Sequence, residues 1–146
     1  MSGGRFHLAL PVTDLAAAAE FYGEFLGCPR GRESSRWIDF DFWGHQLVVH
    51  LVPKESMSAA ATNPVDGEQV PASHFGPILD WAEFDELLER LSNAGIDYVI
   101  APATRFEGRR GEQRTLFIAD PSGNHLEFKS FRNIDMLFAT DGLDYP

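Results

Sequence analysis

Two histidines and one glutamate carry the chemistry open to this chain: His7, His74 and Glu127. Each falls in a stretch that alternates like a strand. In Phe6-His7-Leu8-Ala9-Leu10-Pro11-Val12, the side chains of Phe6, Leu8 and Leu10 share one face, and His7 and Ala9 take the other. In Ser73-His74-Phe75-Gly76-Pro77-Ile78-Leu79, the histidine is again second, sharing a face with Gly76 and Ile78. In His125-Leu126-Glu127-Phe128-Lys129, Leu126 and Phe128 point one way, and His125, Glu127 and Lys129 the other. If Phe6, Leu8, Phe75, Leu126 and Phe128 face helices, both imidazoles and the carboxylate reach one cleft face. Two imidazoles and a carboxylate form a facial set that leaves coordination positions open on a divalent metal. Such donors suit Fe(II), Mn(II), Zn(II), Ni(II) or Co(II), and the residue types do not choose among them.

Other polar residues are placed around that set. His50, from a neighbouring strand, is a candidate fourth ligand, proton shuttle or plain cleft residue. His45 sits at a turn and reads as exposed, and His125 reads as rim. Arg105, Glu107, Arg109, Arg110, Glu112 and Arg114 form a mixed-charge cluster. Arg109 and Arg110 read as a solvated hairpin, whereas Arg105 or Arg114 is a candidate holder of an anionic substrate through its planar fork of donors. Tyr98 and Thr115 are candidate hydrogen-bond donors into the cleft. Cys28 follows a helix-ending glycine with no base beside it, so it does not read as a nucleophile. The chain has no nucleophile-elbow serine pattern, phosphate-cradling glycine loop or dinucleotide fingerprint.

The elements that must position these residues repeat. Phe6 to Val12 predicts a strand. Thr13 or Asp14 caps an amphipathic helix over Leu15 to Leu26, ended by Gly27. Arg36 to Trp43 and His45 to Val52 predict a hairpin turning at Gly44. The second half follows the same order: a strand over Ser73 to Leu79, and a helix over Trp81 to Asn93 capped by Asp80 and closed by Gly95. Strands over Ile96 to Ile100, Gln113 to Ala119 and His125 to Lys129 complete it. The last two are joined by the Asp120-Pro121-Ser122-Gly123 turn, where Pro121 fixes φ, Gly123 tolerates positive φ and Asp120 can cap. The fold class is therefore α+β: two βαβββ modules forming a curved, barrel-like mixed sheet with helices outside and a central cleft. Residues 5–131 are expected to form one domain, with modules at 5–53 and 72–131. Between them, 54–71 reads as a loop or lid. The stretch 132–146 reads as a tail with Ile134, Met136, Leu137 and Phe138 docked on an apolar surface.

Composition narrows the partners. The 146 residues are 44% hydrophobic and 23% charged, ordinary for a globular protein with one core. A formal net charge of -10 repels phosphate backbones, which argues against nucleic acid. No apolar run approaches a membrane span, and the N-terminus has no signal-peptide pattern. A single cysteine excludes an intrachain disulfide and fits a reducing cytoplasm. A cytoplasmic protein with a small-molecule partner is expected.

At these residues the chain resembles the vicinal oxygen chelate superfamily, which includes glyoxalase I, extradiol ring-cleaving dioxygenases, fosfomycin-modifying enzymes and bleomycin-resistance proteins. The likeness is carried by Phe6 to Leu15 with Phe21-Tyr22 and Leu26-Gly27, by Ser73-His74-Phe75, and by Asp120 to Glu127. It implies that paired βαβββ modules build a cleft in which His7, His74 and Glu127 hold a metal. Glyoxalase I typically places a glutamate on the fourth strand as a further ligand; here the nearest match is His50. A two-histidine, one-glutamate set is what extradiol dioxygenases carry on Fe(II). The resemblance therefore implies a small Fe(II) extradiol-type dioxygenase acting on a substrate with vicinal oxygens, and a homodimer. The alternatives are a glyoxalase-like lyase, isomerase or thiol transferase using another divalent metal, or a non-catalytic binding protein.

Overall fold

The computed structural model describes residues 3–59 and 61–140. By its internal contacts the chain forms two compact units. One is Met1–Ala59 with Asp120–Asn124, and the other is Ala60–Ala119 with His125–Pro146.

In the first unit, the N-terminal alternation becomes β1 (His7–Val12). Asp14 then caps α1 (Leu15–Ala18), its Oδ1 accepting the Ala17 N–H at 3.0 Å. The expected single helix does not stay α-helical: it runs on as a π-helical segment (Ala19–Phe25), with Leu26 N–H donating to the Phe21 carbonyl at 2.9 Å. Bonding five residues back turns the chain less per residue, which lets the adjacent Phe21 and Tyr22 both reach the core. Gly27, at φ +77°, closes the segment as expected. Three strands follow: β2 (Arg30–Glu33), β3 (Trp37–Phe42) and β4 (His45–Leu51). The first of these has no counterpart in the sequence reading. Arg30-Gly31-Arg32-Glu33 is polar and exposed throughout, so as an edge strand it carries no apolar alternation.

The turn Asp120–Asn124 belongs to this unit, and Asp120 is its hub. Oδ1 accepts the Ser122 and Asn124 N–H groups, both at 2.9 Å. Oδ2 accepts the Tyr22 hydroxyl at 2.8 Å and Asn124 Nδ2 at 2.9 Å. The Tyr22 side chain is fully buried, and burial first, then the Asp120 charge, hold its phenol well above the usual value.

The second unit opens with a hairpin, β5 (Thr62–Val65) and β6 (Glu68–Pro71), where a loop or lid was expected. Its turn is Asp66-Gly67, at φ +49° and +81°, the two-residue connection that matches strand twist. After it come β7 (Ile78–Leu79), α2 (Trp81–Ala94), β8 (Ile100–Arg105), β9 (Gln113–Ala119) and β10 (His125–Phe131). The strand expected over 96–100 instead starts at Ile100. The strand expected over 73–79 is reduced to a parallel bridge at Phe75 and the two residues of β7.

Both units have the same sheet order: β1-β4-β3-β2 and β7-β10-β9-β8. In each, the first strand runs parallel to the last and the other pairs are antiparallel. The βαβββ duplication is therefore real, but the strands form separate four-stranded sheets and do not close into the expected barrel-like sheet. Each unit has its own core. Val12, Tyr22, Phe40, Leu47 and Val49 are buried in the first, and Phe84, Leu91, Leu116, Ile118, Leu126 and Phe128 in the second. Phe6, expected to face a helix, is 65% exposed. Of the expected tail contacts, Met136 is buried, but Ile134 and Phe138 are exposed, and 141–146 lie outside the described residues. No helix among the described residues is long and apolar enough to cross a membrane.

Candidate functional site

In the second unit, backbone pairing brings His74 and Glu127 together. Phe75 N–H donates to the His125 carbonyl at 3.2 Å, and Glu127 N–H donates to the Phe75 carbonyl at 2.8 Å. Two residues on, Pro77 has no N–H to continue the ladder, though its carbonyl accepts from Lys129 at 3.3 Å. Gly76 fills the gap: its Cα lies so close to the Glu127 backbone that an added Cβ would collide with the Glu127 carbonyl. Only glycine permits this approach, which holds the His74 segment tightly against the Glu127 strand.

The side chains are fixed in turn. His74 Nδ1 lies 2.7 Å from the Pro71 carbonyl, which can only accept, so Nδ1 carries the proton. His74 Nε2 is 2.9 Å from Glu127 Oε2. The other carboxylate oxygen, Oε1, accepts the Thr115 hydroxyl at 2.6 Å, with Lys129 Nζ at 3.9 Å. The Phe117 ring meets the imidazole edge-on at 5.0 Å. The two side chains are 28% and 14% exposed, so the pair is part-buried but still in contact with solvent. Thr115, Phe117 and Glu127 share this face through the β9–β10 register.

This pair passes a test of fit to a divalent ion. Nitrogen and oxygen donors lie about 2.0–2.2 Å from a zinc-sized ion, so two donors 2.9 Å apart subtend roughly a right angle at it. In the neutral tautomer the Nε2 lone pair points at the carboxylate, a donor set suited to a shared cation. With both ring nitrogens protonated, the same contact is an ion pair. Among the described residues, no group of three or more His, Cys, Asp or Glu side chains is gathered as a metal site. The second unit supplies two donors.

His7 belongs to the first unit and is exposed on β1, with Nδ1 at 2.8 Å from Gln46 Oε1. Register makes the two modules directly comparable. β1 pairs with β4 as Leu8↔Leu47 and Ala9↔Val48, and Phe75 bridges to Leu126, which sets Gly76 opposite Glu127. The first-module counterpart of Glu127 is thus Val48, which is apolar and buried. His50 is exposed two residues further on, opposite Trp37, and matches Lys129.

Arg114 projects from β9 to the side opposite Thr115. Its guanidinium stacks 3.8 Å over Trp81, donates to Asp85 Oδ1 at 2.6 Å and caps the Trp81 carbonyl at 2.7 Å. It ties α2 to the sheet and lies away from Glu127. Arg105, at the end of β8, pairs with Asp66 of the β5–β6 turn at 2.8 Å. Tyr98 lies in the connection before β8, half-buried, with burial raising its phenol pKa. His45, expected to be merely exposed, accepts the Phe6 N–H at 2.8 Å. Four contributors escaped the sequence reading: Pro71, Gly76, Gln46 and Phe117. Gly76-Pro77 inside an alternating stretch was a signal of close backbone approach, but the other three carry no local mark.

The model of the glyoxalase/bleomycin resistance protein/dioxygenase superfamily matches residues 4–128. A crystal structure of a glyoxalase/bleomycin resistance protein/dioxygenase from Alicyclobacillus acidocaldarius is 34% identical, with a TM-score of 0.74 and coverage of 94% of this chain and 100% of that one. Virulence protein STM3117 of Salmonella typhimurium is 25% identical over 125 residues, 86% of this chain and 82% of that protein. Biphenyl-2,3-diol 1,2-dioxygenase of Sphingomonas paucimobilis is 26% identical over 127 residues, 83% of this chain and 36% of that enzyme, so the chain spans about a third of its length. Duplicated βαβββ modules with matching sheet order, and a family match across most of the chain, place it: the chain belongs to the glyoxalase/bleomycin resistance protein/dioxygenase superfamily.

Proposed function

We propose that the chain is a metal-dependent enzyme, with residues 5–131 acting as one functional domain, in which His74 and Glu127 hold a divalent ion with His7 as the third ligand. Fe(II) and an extradiol-type ring cleavage of a small substrate with vicinal oxygens are the reading we favour. The carrying observation is the His74–Glu127 pair, with Nε2 and Oε2 at 2.9 Å and each side chain's other polar atom already engaged. An ion held there supplies Lewis acidity and, for iron, redox capacity. The chain's own residues do the positioning. Pro71 keeps the imidazole proton on Nδ1, Thr115 occupies Oε1 and leaves Oε2 to the ion, and Phe117 shields one side of the ring. Val48 brings no fourth ligand, which favours a three-ligand set over that of glyoxalase I. The similarity to a biphenyl-diol dioxygenase supports the same direction. Exposed His50 serves as the proton carrier in this reading. Phe6, Ile134 and Phe138 offer exposed apolar side chains to a second copy in a homodimer, and the single Cys28 fits a cytoplasmic setting.

The test is metal analysis of protein purified without chelators or a metal-affinity tag, beside anaerobic Fe(II) reconstitution. Near-stoichiometric Fe(II) with oxygen uptake on adding catechols is expected. Stoichiometric Ni, Zn or Mn with glutathione-dependent turnover and no oxygen uptake overturns the dioxygenase reading in favour of a lyase or transferase. Absence of tight metal overturns the metal reading and leaves a binding protein. Sedimentation as a monomer at micromolar concentration removes the dimer.

A further inference from the structure

The geometry points to Gln46 and Asp39 as positioning residues that set the tautomer of His7, so that its Nε2 is the free donor atom. The functional meaning of this arrangement rests on the reading of His7 as a ligand. Asp39 on β3 is a carboxylate only 8% exposed. Its Oδ2 receives Gln46 Nε2 at 3.3 Å and lies 3.8 Å from Arg32 Nε. An ionised carboxylate only accepts, so the Gln46 amide must turn its NH2 toward β3 and its oxygen toward β1. That oxygen lies 2.8 Å from His7 Nδ1 and also only accepts, so Nδ1 must carry the proton. The lone pair of a neutral His7 ring is then on Nε2.

Two carboxylates of β3 stand on the Gln46 face. Its direct ladder partner on β3 is Asp41, whose Oδ1 is already occupied by the Gly44 N–H at 2.7 Å. Asp39, one step along the same face, is the carboxylate that the Gln46 amide reaches. The outcome matches His74, where the Pro71 carbonyl imposes the same tautomer by a different route. Two histidines at equivalent places in a duplicated module thus reach one protonation pattern through unrelated partners. A solvated strand histidine has no need of either device. Groups that orient a ligating imidazole through its second nitrogen are a general requirement of such donors.

The experiment is long-range proton–nitrogen NMR of the imidazoles in the metal-free full chain, which distinguishes the two neutral tautomers, with His74 as internal control. Wild-type His7 is expected as the Nδ1–H form. Gln46→Leu, an exposed change that leaves Asp39 in place, and Asp39→Ala are each expected to shift His7 toward the Nε2–H form. Gln46→Glu keeps the accepting oxygen and should keep the Nδ1–H form. The His74 signals should not move in any variant. Zinc affinity, read by competition with a chromophoric chelator, should fall about 10-fold in Gln46→Leu. An unchanged His7 tautomer in both Gln46→Leu and Asp39→Ala overturns the proposal. Unchanged zinc affinity in His7→Ala, with tautomers behaving as expected, instead overturns the ligand reading of His7 on which the proposal's role depends.

Discussion

The two modules share a strand order and a histidine at the equivalent register position, yet they arrange charge differently. In the second module the carboxylate stands on β10, beside the segment that carries the histidine, and touches the ring directly. In the first module that position is Val48, and the buried carboxylate, Asp39, stands one strand further out and reaches the ring only through Gln46. Opposite Glu127 on β9 lies Phe117, the counterpart of Asp39. Carboxylate and apolar residue have in effect exchanged strands between the modules. The two modules keep the same strand order, and two residue differences on one face decide which half can offer an imidazole and a carboxylate to one ion.

That difference breaks most sharply at Glu127. Glu127→Ala removes the carboxylate and should lower zinc or Fe(II) affinity by more than the about 10–100-fold typical of outer-shell losses. Titration against a competing chelator checks this, and wild-type affinity in the variant would show that the second module is not the ion-holding half. Next comes Gly76→Ala, which sets a Cβ against the Glu127 carbonyl. A cost of about 1–3 kcal/mol is expected from such overpacking, measured by denaturant unfolding. Its counterpart Ala9 already carries a Cβ opposite Val48, so Ala9→Gly should cost less. Equal costs would mean the close approach is not peculiar to the second module.

Thr115→Val is milder. It keeps the shape of the side chain but removes the donor to Oε1, and should weaken metal binding about 10-fold with little change in thermal unfolding. Its first-module counterpart is Trp37, which has no such role, so Trp37→Phe should leave metal affinity alone. The smallest effect concerns Tyr22, a first-module residue. Its phenol pKa is raised in the folded state by burial and then by Asp120. Its contribution is therefore complete below the unfolded value of about 10 and is lost as pH rises from there toward the folded value. Tyr22→Phe should cost about 1 kcal/mol at neutral pH and lessen the loss of stability above pH about 10. An identical alkaline profile in the variant would assign that loss elsewhere.

Local pattern carried much of this. Alternation placed His7 and Glu127 on strands, Asp14 and Asp80 began helices, and Gly27 and Gly95 ended them. The hairpin at 62–71 was legible in principle from Asp66-Gly67 flanked by short strands, but its polar composition masked it. β2 gave no signal because an exposed edge strand needs no apolar face. Arg114 and Thr115 are adjacent and both polar, and alternation alone does not say which one shares a face with Glu127. That assignment needs the pairing of Thr115 opposite Lys129 in the β9–β10 register.

The amino-acid sequence by itself determined the module repeat, the α+β class and the residue types available for chemistry, because these follow from short-range periodicity and turn residues. Tertiary structure decided which of those residues meet. Register between strands 39 positions apart made Val48, not His50, the counterpart of Glu127. Backbone contact at Gly76 brought His74 against Glu127, and hydrogen bonds to the Pro71 carbonyl and to Gln46, itself held by Asp39, orient the two imidazoles. Side-chain direction is a local property of a strand, whereas a partner across the sheet is set by pairing between segments far apart in the chain.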